Sequence, residues 1–542
     1  MRGERLSAAA TGVAVFLAGA VLLGLEIASS RVLAPYFGSS LYVWGALIGV
    51  VLAGLSLGYW VGGVVADREP APRLLVSVLG LGALLVLAIP FVESWVLERI
   101  VDWNPGPRLN PLVATIALFG APAVILGTVS PIAVKLRARS LERLGRTAGR
   151  LFAVSTAGSI AGTFATAFFL IPELGTDQLL ASAAVVLLLA AAAVALAERL
   201  LIALGVALAL AAAGVGAVVA LAPQKGGEFV RAAELQNWSP VYRLRGTEER
   251  LGDPEDGQVG YRVLYAKDSQ YHRIAVVEDE DSRYLRFDSS FQSGMYREDP
   301  FRTRFQYSDY LHLALAYRPS AKRVLFVGLG GGSAQRRMWR DFPELQVDSV
   351  ELDSDVVDVA YRFFELPRDD RLPVAVEDGR RFLARNRGPW DAIVIDAFYA
   401  DSIPFHLTTR EFLELARSRL APGGVVTTNI IGALEGDQSR LVRSMFRTYR
   451  TVFPLVAVHP VMDRADRDPD GVRNVIFVAG DGPTLSEQVL VDRWQGVRAK
   501  APGTPSLTDA IRNRLPGPLS TDGVPVLTDD YAPTDALLLF GG

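Results

Sequence analysis

The stretch Arg323–Phe342, RVLFVGLGGGSAQRRMWRDF, joins an apolar run to a glycine cluster and then to a charged, helix-like segment. A short apolar run that ends in glycine is typical of a buried strand. Glycines between a strand and a helix allow a ligand to approach the backbone at the start of the helix. The stretch therefore predicts a strand, a tight turn against a ligand and a helix. It lacks the lysine of a phosphate-binding P-loop.

From Lys322 onward, apolar strands alternate with amphipathic helices. QVDSVELD precedes SDVVDVAYRFFEL, LPVAVEDG precedes RRFLARN, and WDAIVIDAF precedes TTREFLELARSRL. This alternation predicts a Rossmann-like α/β domain over residues 321–542, with a parallel sheet covered by helices on both faces. Residues 223–320 are interpreted as a polar linker and a small β-strand subdomain. Ligands of such sheets bind outside the strand C-termini, near the switch in strand order.

Four predicted strand ends carry candidate ligand groups. The first supplies Gly328, Gly330 and Gly331. Glu351 ends the second strand, where an acid accepts both hydroxyls of a ribose. Asp378 ends the third, where it is suited to an adenine amino group, and Asp396 ends the fourth.

Each of these signals is weak alone, because glycine turns also serve packing and acids after strands are often helix N-caps. Together they favour an adenosyl nucleoside with a reactive group beside it. Asp378 and Asp396 have no clear task in dinucleotide binding. S-adenosylmethionine-type ligands are therefore preferred to NAD.

Residues 1–222 hold most of the hydrophobic excess, in seven uncharged runs of at least 19 residues. A membrane span needs roughly 20 apolar residues. The region is therefore predicted to be a seven-helix transmembrane bundle of a multi-pass cell-membrane protein, with glycines that suit close helix packing. Glu26 and Arg31 lie at or near membrane depth, where a charge is often functional. The alternative is that both lie near the helix end and face the interface or each other.

The membrane orientation is contradictory. The basic loops DREPAPR and KLRARSLERLGRTAGR should be cytoplasmic, and seven spans would then place the α/β domain on the opposite side. Its ligand, however, is made in the cytosol. Either one apolar segment does not span or the charge signal misleads, and we expect a cytoplasmic α/β domain.

Composition excludes several other classes of protein. A net charge of −3 argues against a nucleic-acid partner. The chain has no cysteine and only four scattered histidines, so neither a thiolate site nor a histidine zinc site is expected.

From about Gln270 to Asn429 the chain resembles the spermidine synthase (polyamine aminopropyltransferase) family, and as a whole it resembles the bacterial membrane-fused spermidine synthase-like proteins. The matching stretches are YHRIAVVED, RFDSSFQSG, YSDYLHLAL, VLFVGLGGGS, VELD, VEDGRRFL, WDAIVIDAF and LAPGGVV. The resemblance implies that Glu351 binds ribose, that Asp378 and Gly379 bind adenine, and that Asp396 is the catalytic acid.

The same resemblance implies that His272 contacts the nucleoside, that Tyr307 lines the substrate channel and that the soluble half forms a homodimer. Two positions depart from the family pattern. Gly331 stands where the family has an acid that holds the donor's amine. Tyr399 replaces the second acid of the channel, although Asp401 lies two residues further on.

These departures weaken the case for putrescine, because a dicationic acceptor favours a strongly acidic channel. The C-terminal segment VLTDDYAPTDALL could fold back and supply Asp529 or Asp530, or it could simply be an exposed acidic turn.

The expected reaction is aminopropyl transfer from decarboxylated S-adenosylmethionine to putrescine or another polyamine. It releases methylthioadenosine and uses Asp396 as general base. No permanently bound cofactor and no metal are expected. One alternative is methyl or aminopropyl transfer to a lipid head-group amine in the bilayer. The other is a membrane module that binds polyamine or nucleoside without catalysis.

Overall fold

The computed structural model describes residues 2–37, 41–68, 70–103, 105–106, 108–138, 140–171, 174, 176–220, 229–231, 260–288, 290–398, 403–462, 469 and 471–538. These residues form two compact units. The first contains the helices of the first 220 residues together with Ala266–Arg273, and the second contains the other strands and helices.

Within the described residues, seven helices are long and apolar enough to cross a membrane, judged by length and composition alone. They are α1 (Gly3–Ala34), α2 (Tyr42–Arg68), α3 (Pro72–Trp103), α4 (Leu109–Arg137), α5 (Arg143–Leu170), α6 (Thr176–Ala197) and α7 (Leu201–Ala220). The seven predicted apolar segments are therefore candidate spans. A π-helical turn interrupts α4 at Ile116–Gly120 and ends α5 at Thr166–Leu170.

Glycines let the backbones of these helices touch. A Cβ atom at Gly58 of α2 would lie 2.4 Å from the carbonyl oxygen of Val124 in α4. A Cβ atom at Gly162 of α5 would lie 2.0 Å from the carbonyl oxygen of Ala20 in α1. Neither position accepts a larger residue without a shift, as in the small-residue interfaces of helices in lipid.

Polar side chains near the helix ends find partners inside this unit. Arg31 of α1 donates from Nη2 to the carbonyl oxygen of Ser269 at 2.9 Å. At the other end of α1, the guanidinium of Arg137 donates to Thr11 Oγ1 at 2.6 Å. Arg31 therefore makes a hydrogen bond within this unit, and the role of its charge stays a prediction.

A five-stranded sheet comes first in the second unit. Its strands are β1 (Phe229–Arg231), β2 (Gly260–Asp268), β3 (Arg273–Glu278), β4 (Ser282–Phe287) and β5 (Ser290–Tyr296), paired in chain order. The residues of this sheet belong to the second unit except Ala266–Asp268 of β2 and Arg273 of β3. The β3–β4 and β4–β5 pairs are antiparallel. Two short helices follow, α8 (Gln306–Tyr310) and α9 (Leu313–Tyr317).

A seven-stranded sheet forms the rest of the unit. Its strands are β6 (Arg323–Val327), β7 (Gln346–Glu351), β8 (Val374–Val376), β9 (Trp390–Ile395), β10 (Leu420–Gly432), β11 (Leu455–Pro460) and β12 (Arg473–Gly480). The spatial order is β11-β12-β10-β9-β6-β7-β8. The strands from β10 to β8 in this order are parallel, and β12 is antiparallel to β10 and β11.

Helices connect these strands: α10 (Ser333–Asp341), α11 (Ser354–Phe363), α12 (Gly379–Arg385), α13 (Arg410–Ser418) and α14 (Arg440–Val452), with α15 (Glu487–Lys500), α16 (Thr508–Arg512) and α17 (Thr534–Leu537) after the sheet. The predicted Rossmann-like α/β domain is thus confirmed. Chain order reverses between β6 and β9, so a crevice opens outside their carboxyl ends.

Both faces of this sheet are covered. Val324 and Phe326 of β6 pack into one apolar cluster, whereas Leu325 and Val327 pack into the cluster on the other face. All four side chains are buried. Burial on both faces explains why the strand is a continuous apolar run in the sequence.

Candidate active site

The glycine cluster begins at the carboxyl end of β6, against the end of β9. Gly328 has a φ of +99°, and a Cβ atom there would lie 2.1 Å from the carbonyl oxygen of Asp396. Any other residue would be strained and would clash. Glycine at this position therefore lets the turn and Asp396 lie side by side.

Glu351 ends β7 and is tied to the same turn. Its Oε2 accepts the backbone N–H of Leu329 at 2.9 Å, and its Oε1 accepts that of Asp353 at 3.1 Å. The predicted ribose-binding carboxylate thus lies beside the glycine cluster.

Asp378 follows β8 and is the N-cap of α12. Its Oδ1 accepts the backbone N–H of Arg381 at 2.8 Å, and its Oδ2 lies 2.9 Å from Nε2 of His406. The hydrogen bond from His406 lowers the pKa of Asp378, although burial opposes the shift. Asp378 is therefore a cap, as its sequence position also allowed, and its second oxygen is engaged by a histidine.

Gly379, the next residue, packs directly on β6. A Cβ atom at this position would lie 2.4 Å from Cγ1 of Val327. Glycine is therefore required for the start of α12 to approach the central strand. This packing holds Asp378 near the edge of the sheet.

Asp396 follows β9, and its backbone N–H donates to the carbonyl oxygen of Val327 at 2.9 Å. Its Oδ1 accepts a hydrogen bond of 2.9 Å from Nδ2 of Asn429, on β10. Burial raises the pKa of Asp396 to about 6, and the hydrogen bond from Asn429 acts in the opposite direction. A carboxylate with this pKa can accept a proton near neutral pH.

Tyr307, on α8, lies in the electrostatic field of Asp396. Burial, and then the charge of Asp396, raise the pKa of its hydroxyl well above the ordinary value. The hydroxyl donates to the carbonyl oxygen of Gln292 at 3.0 Å, and the ring stacks on Phe305. Tyr307 is therefore neutral and is brought to the same site as Asp396.

The position of the missing family acid is tightly packed. A Cβ atom at Gly331 would lie 2.9 Å from Cδ1 of Phe364 and 3.0 Å from Cβ of Ser293. The hydroxyl of Ser293 also accepts the N–H of Gly331 at 2.9 Å. The packing around Gly331 thus disfavours any larger residue at this position, including an acid. Gly330, its neighbour, faces the same serine: a Cβ atom there would lie 2.7 Å from its Oγ.

Three predicted residues are not placed at this site. His272 is a buried member of the other unit, where its N–H donates to Ser269 Oγ at 3.0 Å, and its contact with a nucleoside stays a prediction. Tyr399 and Asp401 lie outside the described residues.

The C-terminal segment does fold back onto this domain. Asp529 accepts hydrogen bonds from Arg380, at 2.6 Å, and from Thr409, at 2.7 Å. These contacts, first the bond from Arg380, lower the pKa of Asp529. Asp529 is therefore neutralised by an arginine and is not an unpaired channel acid.

Sequence reasoning missed three residues of the site: Ser293, His406 and Asn429. Ser293 lies in the quoted stretch RFDSSFQSG, but its spacing gave no sign of the contact with Gly331. His406 and Asn429 are each more than 25 residues from their partners. Among the described residues, no group of three or more acidic or histidine side chains could hold a metal ion.

Comparison with known proteins shows what the part of the chain that carries this site is similar to. Residues 304–462 match the family model of the spermine/spermidine synthase domain. A polyamine aminopropyltransferase of Vibrio vulnificus is 33% identical over 201 residues, which are 35% of this chain and 65% of the relative. Putrescine N-methyltransferase 1 of Nicotiana tabacum is 36% identical over 188 residues, 33% of this chain and 49% of the relative.

The chain thus covers less than two thirds of the length of these relatives. A solved structure of a probable spermidine synthase from Corynebacterium glutamicum is 20% identical, with a TM-score of 0.41, over 49% of this chain and 97% of that one. A similarity of this size adds nothing to the fold described above.

Proposed function

Because residues 304–462 carry a spermine/spermidine synthase-like domain, we propose that the protein transfers an aminopropyl group from decarboxylated S-adenosylmethionine to an amine. The acceptor is putrescine or another polyamine, and methylthioadenosine is released. The observation that carries the proposal is the position of Asp396, a base with a pKa of about 6 that lies against the glycine cluster.

The chemical step is an in-line displacement. The acceptor nitrogen forms a bond to the aminopropyl carbon that is attached to the sulfonium. The carbon–sulfur bond breaks, and its electrons pass to sulfur, which becomes the neutral thioether of methylthioadenosine. Asp396 takes the proton that the acceptor nitrogen loses and orients that nitrogen.

The donor would be held by neighbouring loops at one edge of the sheet. Glu351 binds the ribose, Asp378 with Gly379 binds the adenine, and the glycines of the cluster approach the donor's sulfonium side. Tyr307 lines the channel of the acceptor. His272, Tyr399 and Asp401 are assigned to the nucleoside and the acceptor by resemblance to the family alone.

A second candidate is methyl or aminopropyl transfer with a different donor or acceptor, such as ordinary S-adenosylmethionine or a lipid head-group amine. It is favoured by Gly331, because the packed surroundings of this residue leave no room for the acid that would hold the donor's amine. The similarity to a putrescine N-methyltransferase also supports it. A module that binds without catalysis is less well supported, because Glu351 and Asp396 are both retained.

The seven candidate spans would make this a multi-pass protein of the cell membrane. We assign the α/β domain to the cytoplasmic side, where the donor is made, and expect the bilayer to be a partner. A homodimer through the soluble half remains a proposal from the family resemblance.

The Asp396→Asn variant of the detergent-solubilised full chain tests the proposal. Asparagine keeps the shape of the side chain but cannot take a proton. We expect turnover to fall by about 10²–10⁴-fold, while calorimetry gives an unchanged affinity for methylthioadenosine. An equal loss of turnover and affinity would identify Asp396 as a structural acid instead.

A further inference from the structure

Asp396 is the end of a chain of three polar side chains that crosses three neighbouring strands. Asn429 of β10 donates from Nδ2 to Oδ1 of Asp396 at 2.9 Å. Asn474 of β12 donates from its own Nδ2 to Oδ1 of Asn429 at 3.0 Å. Asn429 is 3% exposed. Its amide therefore has little access to water, and both its oxygen and its NH₂ group hydrogen-bond within the protein.

These contacts fix the direction of the Asn429 amide. An asparagine side chain has one acceptor oxygen and one NH₂ donor. An ionised carboxylate only accepts hydrogen bonds, so the NH₂ group of Asn429 faces Asp396 and its oxygen accepts from Asn474. If the Asn429 amide turned over, its oxygen would face the carboxylate and the bond from Asn474 would also be lost. The bond from Asn474 therefore adds to the preference for the observed orientation.

The contacts also distinguish the two oxygens of Asp396. Oδ1 is taken by Asn429, whereas no hydrogen bond reaches Oδ2 from any residue that the structure describes. Asp396 as a whole residue is half-buried. An oxygen that accepts no hydrogen bond is the more basic of the two, so Oδ2 is the better acceptor for the proton of a substrate amine.

We propose that Asn429, oriented by Asn474, is a positioning residue that selects Oδ2 of Asp396 as the oxygen that takes the acceptor's proton. This inference rests on the proposed function. It adds Asn429 to the residues of the proposed site. Neither the glycine cluster nor the acids at the strand ends pointed to this residue.

The inference has consequences for the pH dependence of the reaction. The hydrogen bond from Asn429 lowers the pKa of Asp396. Its loss should therefore raise that pKa, so more of the base is protonated at a given pH and the acid limb of the rate profile moves to higher pH. The hydrogen bonds of the Asn429 side chain to described residues go to Asp396 and Asn474, not to a residue assigned to the nucleoside, so binding of the donor should not change.

The experiment compares Asn429→Leu and Asn474→Leu with the Thr427→Val control in the full chain. Thr427 lies on the same face of β10, is buried, and its hydroxyl has no hydrogen-bond partner among the described residues. We expect Asn429→Leu to lower kcat about 10-fold and to move the acid limb up by about one pH unit, with KM for the donor unchanged. Asn474→Leu should give a smaller effect in the same direction, and Thr427→Val none.

A wild-type pH profile in both asparagine variants would overturn the inference. If Asn429→Leu does not fold, the partly buried Asn474→Leu provides the same test. Failure of the proposed function looks different, because in that case Asp396→Asn would itself keep its turnover. An inactive Asp396→Asn variant beside unshifted asparagine variants would remove only the positioning role.

Discussion

His406 Nε2 lies 2.9 Å from Asp378 Oδ2, so a loop that follows β9 is joined to the start of the helix that follows β8. The carboxylate of Asp378 is thereby shared between a helix cap and a histidine. Each carboxylate oxygen keeps a second lone pair. Asp378 can therefore still accept a hydrogen bond from an adenine amino group, and it is held ionised while it does so.

This arrangement predicts different results for two substitutions of Asp378. Asparagine is as good an N-cap as aspartate, but it has a single acceptor oxygen. When that oxygen caps α12, none is left to accept a hydrogen bond from adenine. We expect Asp378→Asn to keep the thermal midpoint and to weaken nucleoside binding about 10-fold, the equivalent of one hydrogen bond. Asp378→Ala should weaken binding similarly and also lose about 1 kcal/mol of stability with the cap. Unchanged affinity in both variants would exclude Asp378 from the nucleoside site.

The pKa of Asp396 predicts the pH dependence of turnover. The base works only when it is ionised, and its pKa is raised to about 6. The rate should therefore be independent of this group well above pH 6 and should fall about tenfold for each pH unit below it. A stopped assay of kcat between pH 5 and 8 measures this fall, the acid limb of the rate profile. The residual rate of Asp396→Asn should lack it, and a wild-type limb near pH 4 would contradict the burial of the base.

The packing around Gly331 predicts that even a methyl group is costly there. A Cβ atom would be 2.9 Å from the ring of Phe364, which is fully buried. We expect Gly331→Ala to destabilise the protein by about 1–3 kcal/mol, measured by thermal unfolding in detergent. Adding Phe364→Leu should recover part of this loss, although that change alone is destabilising. Full stability of Gly331→Ala would mean that the site has room for the family's acid.

The absence of cysteine allows a direct test of membrane orientation. Single cysteines at Ser140, before α5, and at Gly482, where a Cβ atom meets nothing within 4 Å, can be labelled with a membrane-impermeant maleimide in intact cells. We expect the Gly482→Cys variant to stay unlabelled until the membrane is permeabilised. Labelling from outside would place the α/β domain on the extracytoplasmic side.

The Ser140→Cys variant then tests whether an odd or an even number of helices cross between the two positions. Three candidate spans separate them, so protection of both would mean that an even number cross and that at least one of the three does not. Labelling of Ser140→Cys alone would mean that an odd number cross, as when all three do, and that the basic loop before α5 is outside.

Much of the fold and part of the site were predictable because they depend on residues that are close together in the sequence. Apolar runs with helical segments between them indicated the parallel sheet, and a sheet brings its carboxyl ends to one edge. Glu351, Asp378 and Asp396 were recognised because each lies one or two residues beyond such a run. The contacts that define their roles are not local: Asn429 is 33 residues from Asp396, and Ser293 is 38 from Gly331. The hydrophobic periodicity of a sequence does not indicate which side chains meet across a sheet or between loops.

The spermidine synthase-like account is tested most directly by the products of the reaction. Detergent-solubilised full chain is incubated with decarboxylated S-adenosylmethionine, polyamines and native lipids, and the mixture is analysed by mass spectrometry. The account predicts methylthioadenosine together with an equal amount of an amine extended by one aminopropyl group, and neither product with Asp396→Asn. Formation of S-adenosylhomocysteine from ordinary S-adenosylmethionine, with no methylthioadenosine from the decarboxylated donor, would contradict it.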